Sequence, residues 1–249
     1  MNPGTDTTPP ENTPKSRRPI IAIDGPAGAG KSTVARHLAR HFGLLNLETG
    51  AMYRAFALKA LAAGISLEDV PSLLALSERT VIHLEPTDAG NRVFLDGADV
   101  TSQLREPAVT DGASRVSVHP QIRAWMVRLQ QELGATGGVV MEGRDIGTVV
   151  FPHADVKIFL DAAPEVRGLR RYDQMGQTSD TESVQPEAVV RELRARDERD
   201  RNRADSPLKA ADDAVLLDST HMTLDQVVAQ AETIVEGKLA AGTFHLPNA

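Results

Sequence analysis

The residue types best suited to chemistry fall at Gly25–Ser32, which reads G-P-A-G-A-G-K-S and satisfies G-x-x-x-x-G-K-[ST] at every fixed position. Glycines there let the backbone turn tightly enough to aim consecutive N–H groups at phosphate oxygens. Lys31 adds a positive charge for the β- and γ-phosphates, and the Ser32 hydroxyl is suited to a place on Mg²⁺. Gly25, Pro26, Ala27, Gly28, Ala29, Gly30, Lys31, Ser32 and Thr33 are therefore the expected cradle of a nucleoside triphosphate.

A second concentration lies between Arg167 and Arg203, where arginines at 167, 170, 171, 191, 194, 196, 199, 201 and 203 interleave with Glu192, Asp197, Glu198 and Asp200. On a helix Arg196, Asp200 and Arg203 share a face. Composition alone would make this a solvated, salt-bridged helix. In a chain that holds a triphosphate, a mobile arginine-rich cover that excludes water and neutralises developing charge becomes the better reading. The Gly176–Ser183 segment within it supplies small, polar residues for such movement. Two smaller groups complete the set. Tyr53 and Arg54 are expected in the first turn of a helix, where a cation opposes the macrodipole and suggests an anion to be held. Arg144 and Asp145 follow the apolar run V-V-M-E that ends at Glu142, at the strand end where open α/β sheets bind ligands.

These residues need a framework, and the hydrophobic pattern supplies one. Ile20–Ile23 reads as a buried strand running into the glycine loop. Val34, Ala35, Leu38 and Phe42 then follow at helical spacing, with Gly43 as a stop. A short strand at 44–47, a helix from near Ala51 to Gly64, and strands at 139–142, 156–160 and 214–218 follow. Trp125, Met126 and Leu129 read as the core-facing side of another helix, and Thr223 with Gln226 as a capping box for the last one. Short strands alternating with helices predict an α/β fold, a five-stranded parallel sheet of the P-loop type covered on both faces. From Val81 to Val100 the apolar residues alternate instead, and Asp96-Gly97 is a hairpin signal, so a small antiparallel unit is expected there. Residues 1–19 carry five prolines and almost nothing apolar, and read as a disordered tail. Residues 20–249 then form a single domain, with an insert over about 65–130 and a lid over about 162–206.

A net charge of −7 argues against a general nucleic-acid or anionic-membrane surface. The absence of cysteine excludes disulfides and thiolate chemistry. No apolar run approaches a membrane span and no signal peptide is legible, so a cytoplasmic location is expected. Among P-loop classes, a GTP switch would need a guanine-reading N-K-x-D, which does not occur. Kinases of sugar hydroxyls need a carboxylate to take the acceptor proton, whereas a kinase of monophosphates attacks with an oxygen already ionised and needs arginines and a lid. Another monophosphate or small metabolite as acceptor, and a nucleotide-dependent binding module, stay open on these grounds.

Six runs, in order, resemble the bacterial cytidylate kinase family: G-P-A-G-A-G-K-S-T from Gly25, T-G-A-M-Y-R-A from Thr49, E-G-R-D-I-G-T-V-V-F-P from Glu142, V-K-I-F-L-D from Val156, R-D-E-R-D-R-N-R from Arg196 and L-L-D-S-T from Leu216. The insert, with V-F-L-D-G-A-D-V-T from Val93, is similar to that family's enlarged monophosphate-binding region. The resemblance implies transfer of the γ-phosphoryl group of ATP to CMP or dCMP with Mg²⁺, by a monomer. It places Thr49, Tyr53, Arg54 and Arg144 around the acceptor phosphate, and Ser114, Arg123 and Asp145 around the cytosine ring. Arg196, Asp200 and Arg203 match positions at sugar and phosphates, and Arg170 and Arg171 belong to the lid. Lys31, Arg54, Arg144, Arg170, Arg171 and Arg196 are thus the expected catalytic cations. Glu48 departs from the family pattern, which has Asp before Thr-Gly.

Overall fold

Alternation along two strands organises the molecule. In β1 (Ile20–Asp24), Ile21 and Ile23 enter one apolar layer and Ala22 the opposite one. In β6 (Val139–Gly143), Val140 joins the first layer, and Val139 and Met141 join the second. Both strands are covered on both faces, which is why they read as continuous apolar runs. The computed structural model describes residues 17–87, 90–176, 185–242, 244 and 246, with only the backbone at 175 and 176.

Around this pair β2 (Leu45–Glu48), β7 (Val156–Asp161) and β8 (Val215–Asp218) complete a parallel sheet of order β2-β6-β1-β7-β8. The order reverses at β1, so its carboxyl end is the topological switch point. On one face lie α1 (Lys31–His41) and α8 (Leu224–Leu239), and α8 starts with the expected Thr223/Gln226 capping box. The other face is covered by α2 (Thr49–Ala62), α3 (Val70–Ser77), α4 (Pro107–Val116) and α5 (Pro120–Gly134), where Trp125 packs on Phe56 with ring centroids 5.0 Å apart. The region expected as a lid contains α6 (Pro164–Gly176) and α7 (Pro186–Arg201).

The antiparallel unit is present as β3 (Ile82–Thr87), β4 (Gly90–Leu95) and β5 (Ala98–Asp99). Its last turn uses Asp96 at φ 51° and Gly97 at φ 88°, consecutive left-handed residues as a type I′ hairpin requires. Asn91 fixes this unit to the main sheet by accepting from the Glu48 N–H and donating to the Asn46 carbonyl, each at 2.8 Å.

Three local differences from the sequence reading have physical causes. Helix α2 starts at Thr49, two residues before the expected start, so Arg54 stands in its second turn, where the macrodipole argument weakens. Helices α3 and α4 begin with proline near their first positions, a start signal that the sequence reading did not use. After Asp145 the chain forms one wide turn, Ile146–Val150, an element that the hydrophobic pattern does not announce. The expected tail lies outside the described residues up to residue 16. Arg17 pairs with Asp155, and the Pro19 carbonyl accepts from Gly138 N at 2.8 Å, so residues 17–19 are seated on the domain. Beyond Gly176, the segment singled out for lid movement also lies outside the described residues.

Candidate active site

The glycine loop leaves β1 at Gly25, whose φ of 147° and close approach exclude any side chain: a Cβ there would lie 2.0 Å from the Leu160 carbonyl oxygen. Gly28 and Gly30 adopt φ of 75° and 95°, and α1 begins immediately afterwards, so its free N–H groups face the loop. Lys31 is buried, and its Nζ donates to the Pro26 carbonyl at 2.7 Å. Burial, followed by the neighbouring Arg144 charge, pushes the Lys31 ammonium down to about 7. The Ser32 hydroxyl donates to Glu142 Oε1 at 2.8 Å, and burial holds the Glu142 carboxyl above its ordinary range. A hydroxyl and a carboxylate side by side beside a phosphate cradle are hard oxygen donors that fit a divalent cation such as Mg²⁺.

Opposite the loop stands a group of cations with too few anions. Arg144 donates from Nε to Asp200 Oδ2 at 3.0 Å and from Nη1 to the Gly143 carbonyl at 3.1 Å. Arg54 pairs with Glu48. Burial pushes Arg196 down to about 10, with Arg144 and then Arg54 adding like-charge repulsion against the attraction of Asp200. The Nε atoms of Arg54 and Arg196 and one terminal nitrogen of Arg203 are enclosed without a hydrogen-bond partner among the described residues. Enclosed donors of this kind are costly unless an acceptor arrives. A polyanion would satisfy them.

A buried pair closes the far side. Arg123 and Asp145 form an ion pair with side chains only 4% and 8% exposed, and Arg123 also donates to the Ser117 carbonyl at 3.2 Å. The guanidinium lies 5.8 Å from the Tyr53 ring centroid, and burial pushes the Tyr53 hydroxyl up to about 12. Ser114 Oγ is enclosed without a partner nearby in α4. Thr49 donates its hydroxyl to the Glu142 carbonyl at 2.8 Å, joining α2 to β6.

The structure thus links Lys31, Tyr53, Arg54, Arg123, Arg144, Asp145, Arg196, Asp200 and Arg203 by charge. Arg170 is engaged elsewhere, donating to the Ser219 hydroxyl at 3.0 Å and its carbonyl at 2.9 Å, and Arg171 is half-buried on the same helix. Three supporting residues escaped sequence reasoning. Asp24 accepts from the Ile146 and Gly147 N–H groups at 2.8 and 2.7 Å, and burial raises its carboxyl to about 7. Arg167, on α6, donates to the Ala27 carbonyl at 2.9 Å and to Asp197 on α7 at 2.5 Å, while Asp197 accepts from Ala27 N at 3.3 Å. Helices α6 and α7 are therefore fastened to the glycine loop through these two residues. Arg167 was visible only as one arginine among nine; its burial is a tertiary fact. Asp24 did carry a signal, as an acid closing an apolar strand.

The sequence profile of the cytidylate kinase family matches residues 21–237. The chain belongs to that family. It is 46% identical to the cytidylate kinase of Solibacter usitatus, over 92% of this chain and 97% of that one. With the cytidylate kinase of Pelotomaculum thermopropionicum the identity is 49%, covering 84% and 92% of the two chains. The cytidylate kinase of Pasteurella multocida shares 41% identity over 90% and 98%. As a cytidylate kinase, the protein is a phosphotransferase with ATP and CMP as its small-molecule substrates. The sequence expectations of a parallel P-loop sheet with a small antiparallel insert, of a kinase, and of CMP as acceptor are borne out. Among the described residues no helix is long and apolar enough to cross a membrane.

Proposed function

We propose that the group formed by Arg54, Arg144 and Arg196, facing Lys31 and Ser32, is where the acceptor phosphate meets the γ-phosphate of ATP. The enclosed, unpartnered Nε donors of Arg54 and Arg196 carry the reading, because a second polyanion is what they lack. A phosphate oxygen of CMP attacks the γ-phosphorus. A new P–O bond forms as the bond to the β-bridging oxygen breaks, and ADP leaves with the bond's electron pair. The acceptor oxygen is already ionised, so the protein positions charge and moves no proton. Gly25–Thr33 cradles the donor phosphates, and Ser32 with Glu142 would hold Mg²⁺, which neutralises charge between the β- and γ-phosphates.

Thr49 and Tyr53 line the acceptor phosphate, Ser114, Arg123 and Asp145 the cytosine, and Asp200 and Arg203 the sugar side. Arg170 and Arg171 belong to the lid of α6 and α7 and reach the phosphates on closure. A cavity of about 530 Å³ lined by Asp161, Ala163, Arg167, Leu216 and Thr220 suits the donor nucleoside. The active unit is taken as a monomer, with dCMP accepted in the same pocket. A coupled assay of ADP release across CMP, dCMP, UMP and AMP tests the proposal. CMP and dCMP are expected to turn over well and UMP and AMP poorly. Comparable kcat/KM for AMP would overturn the base-site assignment.

A further inference from the structure

On the sheet face away from the acceptor insert, α1 and α8 pack together through one apolar layer. At their edges His37 and His41, one turn apart on α1, meet Glu232 and Glu236, one turn apart on α8. His37 Nε2 lies 2.6 Å and His41 Nδ1 3.0 Å from the same oxygen, Glu232 Oε1, and His41 Nε2 is 3.9 Å from Glu236 Oε1. The donor atoms of His37, His41 and Glu232 all fall within 4.8 Å of one another. None of the four residues has a place in phosphoryl transfer. At a rise of about 1.5 Å per residue, His37 and His41 stand roughly 9 and 15 Å along α1 from Lys31.

We propose that His37, His41 and Glu232 form a binding site for a divalent transition metal of the Zn²⁺ class, with Glu236 or water as the fourth ligand. Imidazole with carboxylate suits Zn²⁺, whereas Mg²⁺ takes oxygen donors alone, so this site differs in kind from the oxygen pair at Ser32 and Glu142. Two histidines at i and i+4 on one helix face present their nitrogens to a common point, and Glu232 brings its carboxylate to it from the facing helix. Tetrahedral ligands at Zn²⁺ bond lengths stand about 3.3 Å apart, so the separations of 2.6 and 3.0 Å need to open by about 0.7 and 0.3 Å. Half-exposed side chains can make that adjustment. A metal would also resolve a shared-acceptor problem, because one carboxylate oxygen now faces two ring nitrogens.

The helix ends favour the same occupant. His41 is the last residue of α1 and Glu236 stands in the last turn of α8, where the macrodipole acts. Carboxylates near a helix C-terminus oppose the macrodipole, while a dication there is favoured by both helices. Bound metal would fasten the final helix to the one that carries Lys31 and Ser32.

The test uses the full chain without a polyhistidine tag, stripped by chelator and held in millimolar Mg²⁺ so that the oxygen site is already served. Co²⁺ titration should give visible absorption bands that saturate at one equivalent, and Zn²⁺ should displace them. Zn²⁺ at about a hundredfold over its dissociation constant should raise the melting midpoint by roughly 5 °C or more. Both responses should vanish in Glu232→Gln and in His37→Gln, or in His41→Gln if His37→Gln fails to fold, and persist in Ser32→Ala, with turnover of CMP unchanged in the Glu232 and histidine variants. Absence of the bands and the melting shift at 100 µM metal would overturn the proposal and leave a simple His–Glu contact. Retention in the Glu232 and histidine variants, or loss in Ser32→Ala, would overturn it as well.

Discussion

Ser32 Oγ donates to Glu142 Oε1 at 2.8 Å, so the first turn of α1 and the end of β6 meet through one hydrogen bond at the carboxyl edge of the sheet. Replacing Glu142 by Gln keeps an acceptor for Ser32 and removes the charge. The Mg²⁺ concentration for half-maximal velocity should rise about tenfold or more, equivalent to roughly 1.4 kcal/mol of metal binding. Steady-state rates across a Mg²⁺ series check this, and an unchanged series would remove Glu142 from the metal site.

Lys31 titrates near 7 because it is buried and faces Arg144. A triphosphate beside it restores the charged form, so ATP binding at pH 8 should take up about one proton. Calorimetry in buffers of different ionisation enthalpy reads that number directly, and Lys31→Met should abolish it. The sign for stability follows from the same shift. Between about 7 and 10.5 the unfolded chain holds a proton that the folded chain lacks, so the wild type should gain stability with rising pH relative to Lys31→Met. Parallel slopes for the two proteins would contradict the shift.

Arg196 is a cation among cations. Arg196→Ala should lower kcat/KM for CMP by about a hundredfold or more, roughly 2.7 kcal/mol of transition-state stabilisation. The nucleotide-free protein should melt at the same temperature or higher, because a like charge has gone. A fall in melting temperature with activity intact would make Arg196 structural.

Asp145 is paired with Arg123, yet cytosine offers an N4 donor where uracil has the O4 acceptor. Asparagine can still accept from Arg123 and can donate to O4. Asp145→Asn should therefore lower kcat/KM for CMP and narrow the CMP-to-UMP ratio by about tenfold, equivalent to roughly 1.4 kcal/mol. Equal losses for both substrates would confine Asp145 to holding Arg123.

Asp197→Ala would strip a fully buried arginine of its nearer carboxylate and cut one tie between α7 and the glycine loop. The expected cost is about 3–5 kcal/mol in urea unfolding. A loss below about 1 kcal/mol would show that Arg167 finds other acceptors.

Much of this molecule is legible in one dimension because its signals are local. The glycine loop, its flanking strand and helix, the Asp96-Gly97 turn and the Thr223/Gln226 box each specify backbone geometry within a few residues, and the structure forms all of them. The continuous apolar runs at 20–23 and 139–141 likewise mark two-sided burial. The site could be named residue by residue only where motif spacing carried it. What tertiary structure alone decided is partnership. Arg167 and Asp197 are 30 residues apart, Ser32 and Glu142 are 110, and Asp24 and Gly147 are 123. Whether an arginine in a charge-rich stretch is solvated, as Arg194 is, or sealed against a loop, as Arg167 is, depends on which side of α6 and α7 meets the glycine loop. Chain order does not contain that information, because a charge's partner is set by the fold's through-space distances and by the loss of water around it.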